Sequence, residues 1–201
     1  MTDITNSNTK ENLLRAFAGE SQARNRYTFA AQQANEAKVY VIEKIFKFTA
    51  DQEKEHAEIY YNFLSPLSGT NIDITASYPV DKAEKLFQLL RKSACNEYEE
   101  FDPVYPDFAK VAREEGFNNI GLTFELISKI EKTHGQRFDY FAQLIEDGML
   151  FESEAETEWL CLNCGHVHRG KEAPKICPVC SNIQSYFIRT ELAPFTSSQY
   201  N

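Results

Sequence analysis

The sequence of 201 residues lacks several features that mark other classes of protein. It has no cluster of lysine and arginine, and a formal net charge of −9 disfavours binding to nucleic acid. No run of apolar residues approaches the ~18 that a membrane span needs. The first residues contain neither a basic stretch nor an apolar one, so we expect no secretory signal.

The five cysteines are not arranged as a disulfide framework. Four of the five cysteines form a spaced pattern typical of a metal site. Since no disulfide framework remains, the cysteines favour a reducing compartment. We therefore predict a cytoplasmic protein with no membrane or nucleic-acid partner.

Two Glu-x-x-His motifs are the most informative feature that is present, Glu53 with His56 and Glu131 with His134. Residues three apart lie on one face of a helix, so each pair can bind a metal ion. One further glutamate precedes each motif, by 33 and 34 residues respectively: Glu20 and Glu97. Two lone glutamates with two Glu-x-x-His motifs are the ligand set of ferritin-like dimetal carboxylate bundles.

The apolar pattern decides against a solvated face, where Glu and His three apart also occur. Apolar residues recur at alternating steps of three and four along four segments, and the acids and histidines fall within those stripes. Ile42, Phe46 and Thr49, for example, lead directly to Glu53. Buried carboxylates without a partner are too costly to keep. We therefore predict two metal ions among them.

The same stripes predict four long helices. The first spans residues 8–36, the second 39–64 and the fourth 118–145, while the third carries Glu97 and is broken by Pro103 and Pro106. Capping-box patterns at Asn8 and Asp81 predict the starts of the first and third helices. A short helix is expected over 107–115. The polar segment before the third helix is long enough to cross the bundle.

The pattern changes completely near the end of the sequence. We predict a bundle over 1–148, an acidic linker over 149–158 and a small, mainly β domain over 159–201. The last part is too small to fold on hydrophobic burial alone, so it needs a metal. The predicted fold class is mainly α, with a ferritin-like four-helix bundle followed by a small β metal domain.

Two Cys-x-x-Cys pairs in this last part predict a tetrahedral thiolate site: Cys161, Cys164, Cys177 and Cys180. Each turn needs a permissive backbone, which Gly165 provides after the first pair, whereas Ser181 is less typical after the second. The cysteines alone do not choose between zinc and iron. His166 and His168 are left out of the site. The fifth cysteine, Cys95, is predicted to be a small core residue.

Several segments together resemble rubrerythrin, over essentially the whole chain. They are GESQARNRY at 19–27, EKEH at 53–56, EYEE at 97–100, YP at 105–106, AREEG at 112–116 and EKTH at 131–134. The sequence around the four cysteines resembles the rubredoxin-like domain of that family. The resemblance implies a diiron carboxylate site in the bundle and one iron at the four cysteines.

The resemblance also assigns roles to individual residues. It implies seven diiron ligands: Glu20, Glu53, His56, Glu97, Glu100, Glu131 and His134. Glu100 lies in register with the third stripe and, by position, would exchange with His56 as a ligand when the iron changes oxidation state. Tyr27 and Tyr105 match tyrosines that orient ligand carboxylates.

The function implied is that of a non-haem peroxidase that reduces hydrogen peroxide to water and protects against oxidative stress. Electrons would come from NADH through an electron-donor protein, of the rubredoxin or reductase type, and enter at the four-cysteine iron. The resemblance further implies a head-to-tail homodimer. Three alternatives remain open: a ferroxidase or iron-handling protein, a metal-dependent interaction or sensor module with a zinc ribbon, and an oxygenase.

Overall fold

Helices form most of the protein, as the sequence predicted. The computed structural model describes residues 3–193. Within them lie five α-helices: α1 (Asn8–Glu36), α2 (Tyr40–Phe63), α3 (Leu86–Glu99), α4 (Tyr105–Glu114) and α5 (Asn118–Glu146). A π-helical turn, Glu100–Val104, joins α3 to α4 and contains Pro103. Short 3-10 turns lie at Ile4–Asn6, Ser65–Leu67, Gln184–Tyr186 and Thr190–Leu192.

The helices associate as two pairs that face each other. α1 packs along α2, while α3 and α4 pack against α5. The four long helices α1, α2, α3 and α5 form the predicted ferritin-like bundle. Each pair supplies one lone glutamate and one Glu-x-x-His motif, so the bundle brings both halves of the predicted ligand set to one level.

Two apolar layers enclose that level of the bundle. Phe46 and Tyr60 lie seven residues before and after Glu53, and both are fully buried. Phe124 and Phe138 flank Glu131 in the same way. Seven residues are two helical turns, or about 10.5 Å. The rings of Phe46 and Phe138 meet at 5.1 Å, and those of Tyr60 and Phe124 at 5.0 Å, so apolar contacts close the polar layer above and below.

Two predicted caps are wrong in detail. The first helix is capped by Ser7, whose Oγ accepts from the backbone N–H of Lys10, and Asn8 is already helical. Asp81 caps no helix, because α3 begins only at Leu86. Its carboxylate instead accepts hydrogen bonds from other side chains across the bundle. Both errors arise because a polar side chain can hydrogen-bond to several nearby groups, and the sequence does not show which group it binds.

Cys95 does not lie in the core, contrary to prediction. Its side chain is exposed. Cys95 precedes Glu97 by two residues, which places it about 200° around the helix from the buried glutamate. That direction faces solvent on α3.

The tail forms a three-stranded antiparallel sheet in the order β2-β1-β3. Its strands are β1 (Glu152–Cys161), β2 (Val167–Glu172) and β3 (Phe187–Arg189). Trp159 is fully buried at its centre, and the indole N–H donates to the carbonyl of Gly170 at 3.0 Å. This small sheet agrees with the predicted mainly β tail.

The segment predicted as an acidic linker, 149–158, is mostly strand. β1 begins at Glu152, which pairs with Glu172, and a bulge separates this pair from Thr157 and Gly170. Most of the side chains along 152–158 are exposed, so no apolar alternation reveals the strand in the sequence. The domain boundaries themselves remain predictions, and residues 194–201 of the predicted last domain lie outside the described part of the chain.

The tail rests against one end of the bundle. Tyr186 stacks on Tyr40, at the start of α2, with ring centroids 4.2 Å apart. Ile188 and Ala193 join the apolar cluster that contains Ala34 and Val41. In the part of the chain that the structure describes, no helix is long and apolar enough to cross a membrane.

Candidate metal centres

Six side chains from four helices form two overlapping ligand groups inside the bundle. One group comprises Glu20, Glu53, His56 and Glu131, and the other Glu53, Glu97, Glu131 and His134. The ligand atoms within each group lie within 4.8 Å of one another. Glu53 and Glu131 belong to both groups, so each can contribute one oxygen to each of two metal ions. This is the geometry of a bridged pair.

The histidines point one nitrogen each into these groups. His56 Nδ1 lies 3.0 Å from a Glu131 oxygen and 3.1 Å from a Glu53 oxygen. His134 Nδ1 lies 2.8 Å and 2.9 Å from the other oxygens of the same two glutamates, and 3.5 Å from Glu97. Each imidazole therefore faces one side of the two shared carboxylates.

The hydrogen bonding of these atoms fits a pair of metal ions. Among residues 3–193, six of the buried ligand atoms have no hydrogen-bond partner: Glu20 Oε2, Glu53 Oε1, Glu97 Oε2, both Glu131 oxygens and His134 Nδ1. A buried polar group without a partner costs about 1–3 kcal/mol, and more if charged. Cations coordinated by these atoms remove that cost.

The protonation of the cluster leads to the same conclusion. Burial lowers the pKa of His56, but the adjacent carboxylates of Glu131 and Glu53 outweigh it and raise the pKa to about 9. For His134 too, burial lowers the pKa, but the neighbouring glutamates outweigh it and raise the pKa to about 12. Burial raises the pKa of Glu20 well above its usual value and that of Glu97 to about 8. These acids need positive charge, which metal ions supply while protons leave.

Two tyrosines hold the lone glutamates. The hydroxyl of Tyr105 donates to Glu20 Oε1 at 2.5 Å, and the hydroxyl of Tyr27 donates to Glu97 Oε1. Both tyrosines are buried. Each hydrogen bond leaves the second oxygen of its glutamate directed at the centre. The structure thus places each tyrosine next to the carboxylate of a lone glutamate.

Glu100 lies apart from the six grouped residues. It occupies the first position of the π-helical turn, and its carboxylate approaches Gly19, next to Glu20. Burial and the neighbouring Glu97 and Glu131 raise its pKa well above the usual value. The structure therefore brings six of the seven predicted ligands together and places the seventh beside them.

Sequence reasoning missed Gln52 and Arg137. The outer nitrogen of His134, Nε2, lies 3.1 Å from Gln52 Oε1, which also accepts from Arg137 at 3.1 Å. Arg137 donates further to Thr49 at 2.9 Å. Gln52 lies four residues before His56, and Arg137 lies three residues after His134, so both adjoin the apolar stripes. Gln52 and Arg137 are 85 positions apart, however, and no local sequence signal indicates that they meet.

We expect Gln52→Leu to weaken metal binding in the bundle. It removes the acceptor of His134 Nε2–H, which fixes the ring with Nδ1 toward the centre. Loss of such an outer partner typically costs about 10–100-fold in metal affinity. The dissociation constant can be measured by chelator competition, with Gln136→Leu, exposed on α5, as the matched control. Equal affinities in the two variants would contradict the assignment.

The four predicted cysteines converge in the tail. Cys161 and Cys180 sulfurs lie 3.7 Å apart, as do those of Cys164 and Cys177. A tetrahedron with metal–sulfur bonds of ~2.3 Å has edges of about 3.8 Å, so the four sulfurs fit one ion. Cys161 and Cys177 are buried, whereas Cys164 is exposed and Cys180 partly so. Two thiolates therefore face outward.

The two cysteine turns repeat one backbone geometry. The N–H of Gly165 donates to the carbonyl of Cys161 at 2.8 Å, and the N–H of Ser181 to that of Cys177 at 3.0 Å. Both residues have a positive φ, 79° for Gly165 and 61° for Ser181. Ser181 therefore adopts the left-handed conformation that the second turn requires, at some cost in backbone strain.

Comparison with known proteins agrees with both centres. The rubrerythrin family profile matches residues 11–142, and the profile of the rubrerythrin rubredoxin-like domain matches 159–188. The chain is 45% identical to rubrerythrin of Porphyromonas gingivalis, over 92% of this chain and 90% of the relative. It is 42% identical to rubrerythrin of Nitratidesulfovibrio vulgaris, over 93% and 96%.

A solved structure of nigerythrin in a mixed-valence state has a similar fold. Its TM-score is 0.62 at 27% identity, covering 92% of this chain and 90% of that one. Another nigerythrin structure, in a fully reduced, all-ferrous state, has a TM-score of 0.61. The chain therefore belongs to the rubrerythrin family, with the diiron carboxylate site and the four-cysteine rubredoxin-like iron site that the sequence predicted.

Proposed function

We propose that the protein is a peroxidase that reduces hydrogen peroxide to two water molecules with two electrons and two protons. The observation that carries this proposal is one chain holding both a dimetal ligand set and a four-cysteine site. The family consists generally of oxidoreductases, which supports it. A bound iron pair supplies two electrons and the Lewis acidity that favours cleavage of the O–O bond.

The protein's own residues would bind the irons and restrict water. We propose the following ligands: Glu20, Glu53, His56, Glu97, Glu100, Glu131 and His134 for the pair, and the four cysteines for the single iron. Tyr27 and Tyr105 orient the lone glutamates. The aromatic layers on either side keep water away from the carboxylates, and the lower local dielectric strengthens their interaction with cations.

Electrons are proposed to enter at the outward-facing thiolates. Cys164 is exposed and Cys180 partly exposed, so a donor protein of the rubredoxin or reductase type can approach this edge of the tail. We propose NADH as the ultimate reductant.

Delivery within one chain is disfavoured by the position of the tail. Tyr40, which contacts the tail through Tyr186, lies thirteen residues before Glu53, or about 20 Å along α2. The partner of a head-to-tail homodimer could bring its own tail nearer to the bundle. Leu122, Leu126 and Ile130 form an exposed apolar stripe on α5, which supports such a contact between chains.

The proposal is tested by comparing peroxide turnover with iron uptake. Protein reconstituted with iron under anaerobic conditions should consume hydrogen peroxide over many cycles when a reductant reduces the tail iron. A ferroxidase would instead consume oxidant in proportion to added ferrous iron and would not need the tail. Loss of turnover in Cys164→Ser, with the bundle irons retained, supports the peroxidase. Native peroxide turnover in Cys164→Ser would contradict the proposed peroxidase.

Glu100→Ala should retain both bundle irons but slow the redox cycle. Six ligands remain, and only the carboxylate proposed to exchange with His56 is lost. The measurements are an iron count and the rate of peroxide reduction. Glu99→Ala, exposed on the adjacent position, is the matched control. If Glu100→Ala turned over at the native rate, the proposed exchange would be wrong.

A further inference from the structure

The segment between α2 and α3 is fastened across the outside of α1. Residues 68–85 contain no helix or strand. Arg15 Nε donates to the carbonyl of Thr75 at 3.0 Å, and the hydroxyl of Tyr78 donates to the carbonyl of Arg15 at 2.8 Å. Beyond Tyr78, the Asp81 carboxylate accepts from Arg26. These contacts hold the crossover segment in one position over α1.

Tyr78 lies beside Gly19, the residue of α1 that directly precedes the ligand Glu20. A Cβ atom placed on Gly19 would lie 3.6 Å from Tyr78 Cε1 and 3.6 Å from Glu100 Oε1. The tyrosine ring and the Glu100 carboxylate therefore both lie near the backbone at Gly19. A residue larger than glycine at this position would fill the space between them.

A cavity of about 230 Å³ lies at this gap. Tyr78 and Arg15 line this cavity, and Glu100 and Tyr105 line it as well. Tyr105 donates to Glu20, so this part of the cavity lining adjoins the ligand set. Cavities that bind drug-sized molecules have about 300–1,000 Å³, so this one suits smaller substrates.

We propose that Tyr78 is a specificity-determining residue, whose ring limits access to the iron pair to hydrogen peroxide and excludes hydroperoxides with bulky alkyl groups. The ring lies 3.6 Å from the position of a Cβ atom on Gly19 and lines the same cavity as Glu100. Its hydrogen bond to the carbonyl of Arg15 fixes it against α1. This inference rests on the proposed peroxidase function.

Three variants test the role of the ring. Tyr78→Ala removes the ring, whereas Tyr78→Phe keeps it and loses only the hydrogen bond to Arg15. Val80→Ala, 87% exposed in the same segment, is the matched control. We expect Tyr78→Ala to raise the ratio of kcat/KM for tert-butyl hydroperoxide to that for hydrogen peroxide by about tenfold or more, because a pocket wall discriminates by roughly that factor. Val80→Ala should leave the ratio unchanged.

A second readout does not depend on turnover. The rate at which the chelator ferrozine removes ferrous iron from the bundle reports access directly. The tail iron, quantified by its visible absorption after re-oxidation, serves as an internal reference. Tyr78→Ala should accelerate this removal, and Tyr78→Phe should lie between it and the native protein. If the native protein reduced no peroxide, the proposed function would fail, yet the chelator rates would still test access.

Gly19→Ala tests the same opening in the opposite direction. Its added methyl group would make ordinary contacts of 3.6 Å with both neighbours, and alanine favours the helix, so the variant should fold. We expect slower iron removal and a lower ratio of tert-butyl hydroperoxide to hydrogen peroxide turnover than in the native protein. Unchanged chelator rates and ratios in both Tyr78→Ala and Gly19→Ala would overturn the inference.

Discussion

Glu53→Ala is expected to abolish stable binding of the iron pair while leaving the tail iron in place. Glu53 belongs to both ligand groups, so its loss removes one oxygen from each metal position. It also removes a carboxylate that both histidines approach within 3.1 Å. Peroxide turnover should fall to background, a larger effect than removal of any ligand that serves one metal.

The measurement is an iron count after anaerobic reconstitution, which should fall from three per chain to about one. The visible absorption of the four-cysteine iron shows that the tail remains intact. Added ferrous iron should also stop raising the thermal stability of the bundle, since a ligand that binds only the folded state stabilises it in proportion to its binding. Glu55→Ala, exposed on α2, is the matched control. Three irons per chain in Glu53→Ala would contradict the shared role of Glu53.

A mixed dimer of Cys161→Ser and Glu53→Ala chains is expected to regain the activity that each parent lacks. One chain has an intact bundle and the other an intact tail. Transfer between chains leaves one complete route in this dimer, so about half of the native activity should return for a two-fold symmetric assembly. Transfer within a chain leaves no complete route.

The reciprocal dimer reverses the expectation and serves as the control. It pairs a native chain with a chain carrying both substitutions. Here transfer between chains leaves no route, whereas transfer within the native chain leaves one. The two hetero-dimers can be isolated with different affinity tags, and their iron contents compared. Activity in the reciprocal dimer, with none in the first, would exclude the proposed path between chains.

The helices and the convergence of six ligands could be predicted because they depend on local spacing. Glu53 and His56 lie one turn apart within an apolar stripe, and any helix that buries the stripe also buries them. The four cysteines follow the same logic, since each pair lies within one turn. Ser181 shows the limit of prediction from local sequence, because the second cysteine turn forms although serine lacks the conformational freedom of glycine.

Features that depend on distant partners could not be predicted in this way. Gln52 meets His134 only when α2 and α5 pack, and Asp81 resembles a helix cap until Arg26 and Asn96 bind it. The strand at 152–158 has few buried side chains, so backbone pairing alone defines it. In each case the deciding interaction joins residues that the sequence keeps apart.

The two helix pairs also have consequences for the equivalence of the two metals. An approximate two-fold relation exchanges the pairs, since Tyr27 of the first holds Glu97 of the second, and Tyr105 of the second holds Glu20 of the first. Two positions break it. Ala23 is the counterpart of Glu100, each lying three residues after its lone glutamate, and Ile130 is the counterpart of Gln52, each directly before a shared glutamate.

This asymmetry distinguishes the two histidines. Gln52 restrains the outer nitrogen of His134, while within residues 3–193 no side chain or carbonyl accepts from that of His56. Under the proposed ligand set, a metal next to His134 would have a fixed imidazole ligand, whereas a metal next to His56 would have an imidazole that is free to turn. A centre with equivalent halves would have no preferred place to change coordination, whereas this asymmetry favours the His56 side for the exchange proposed above.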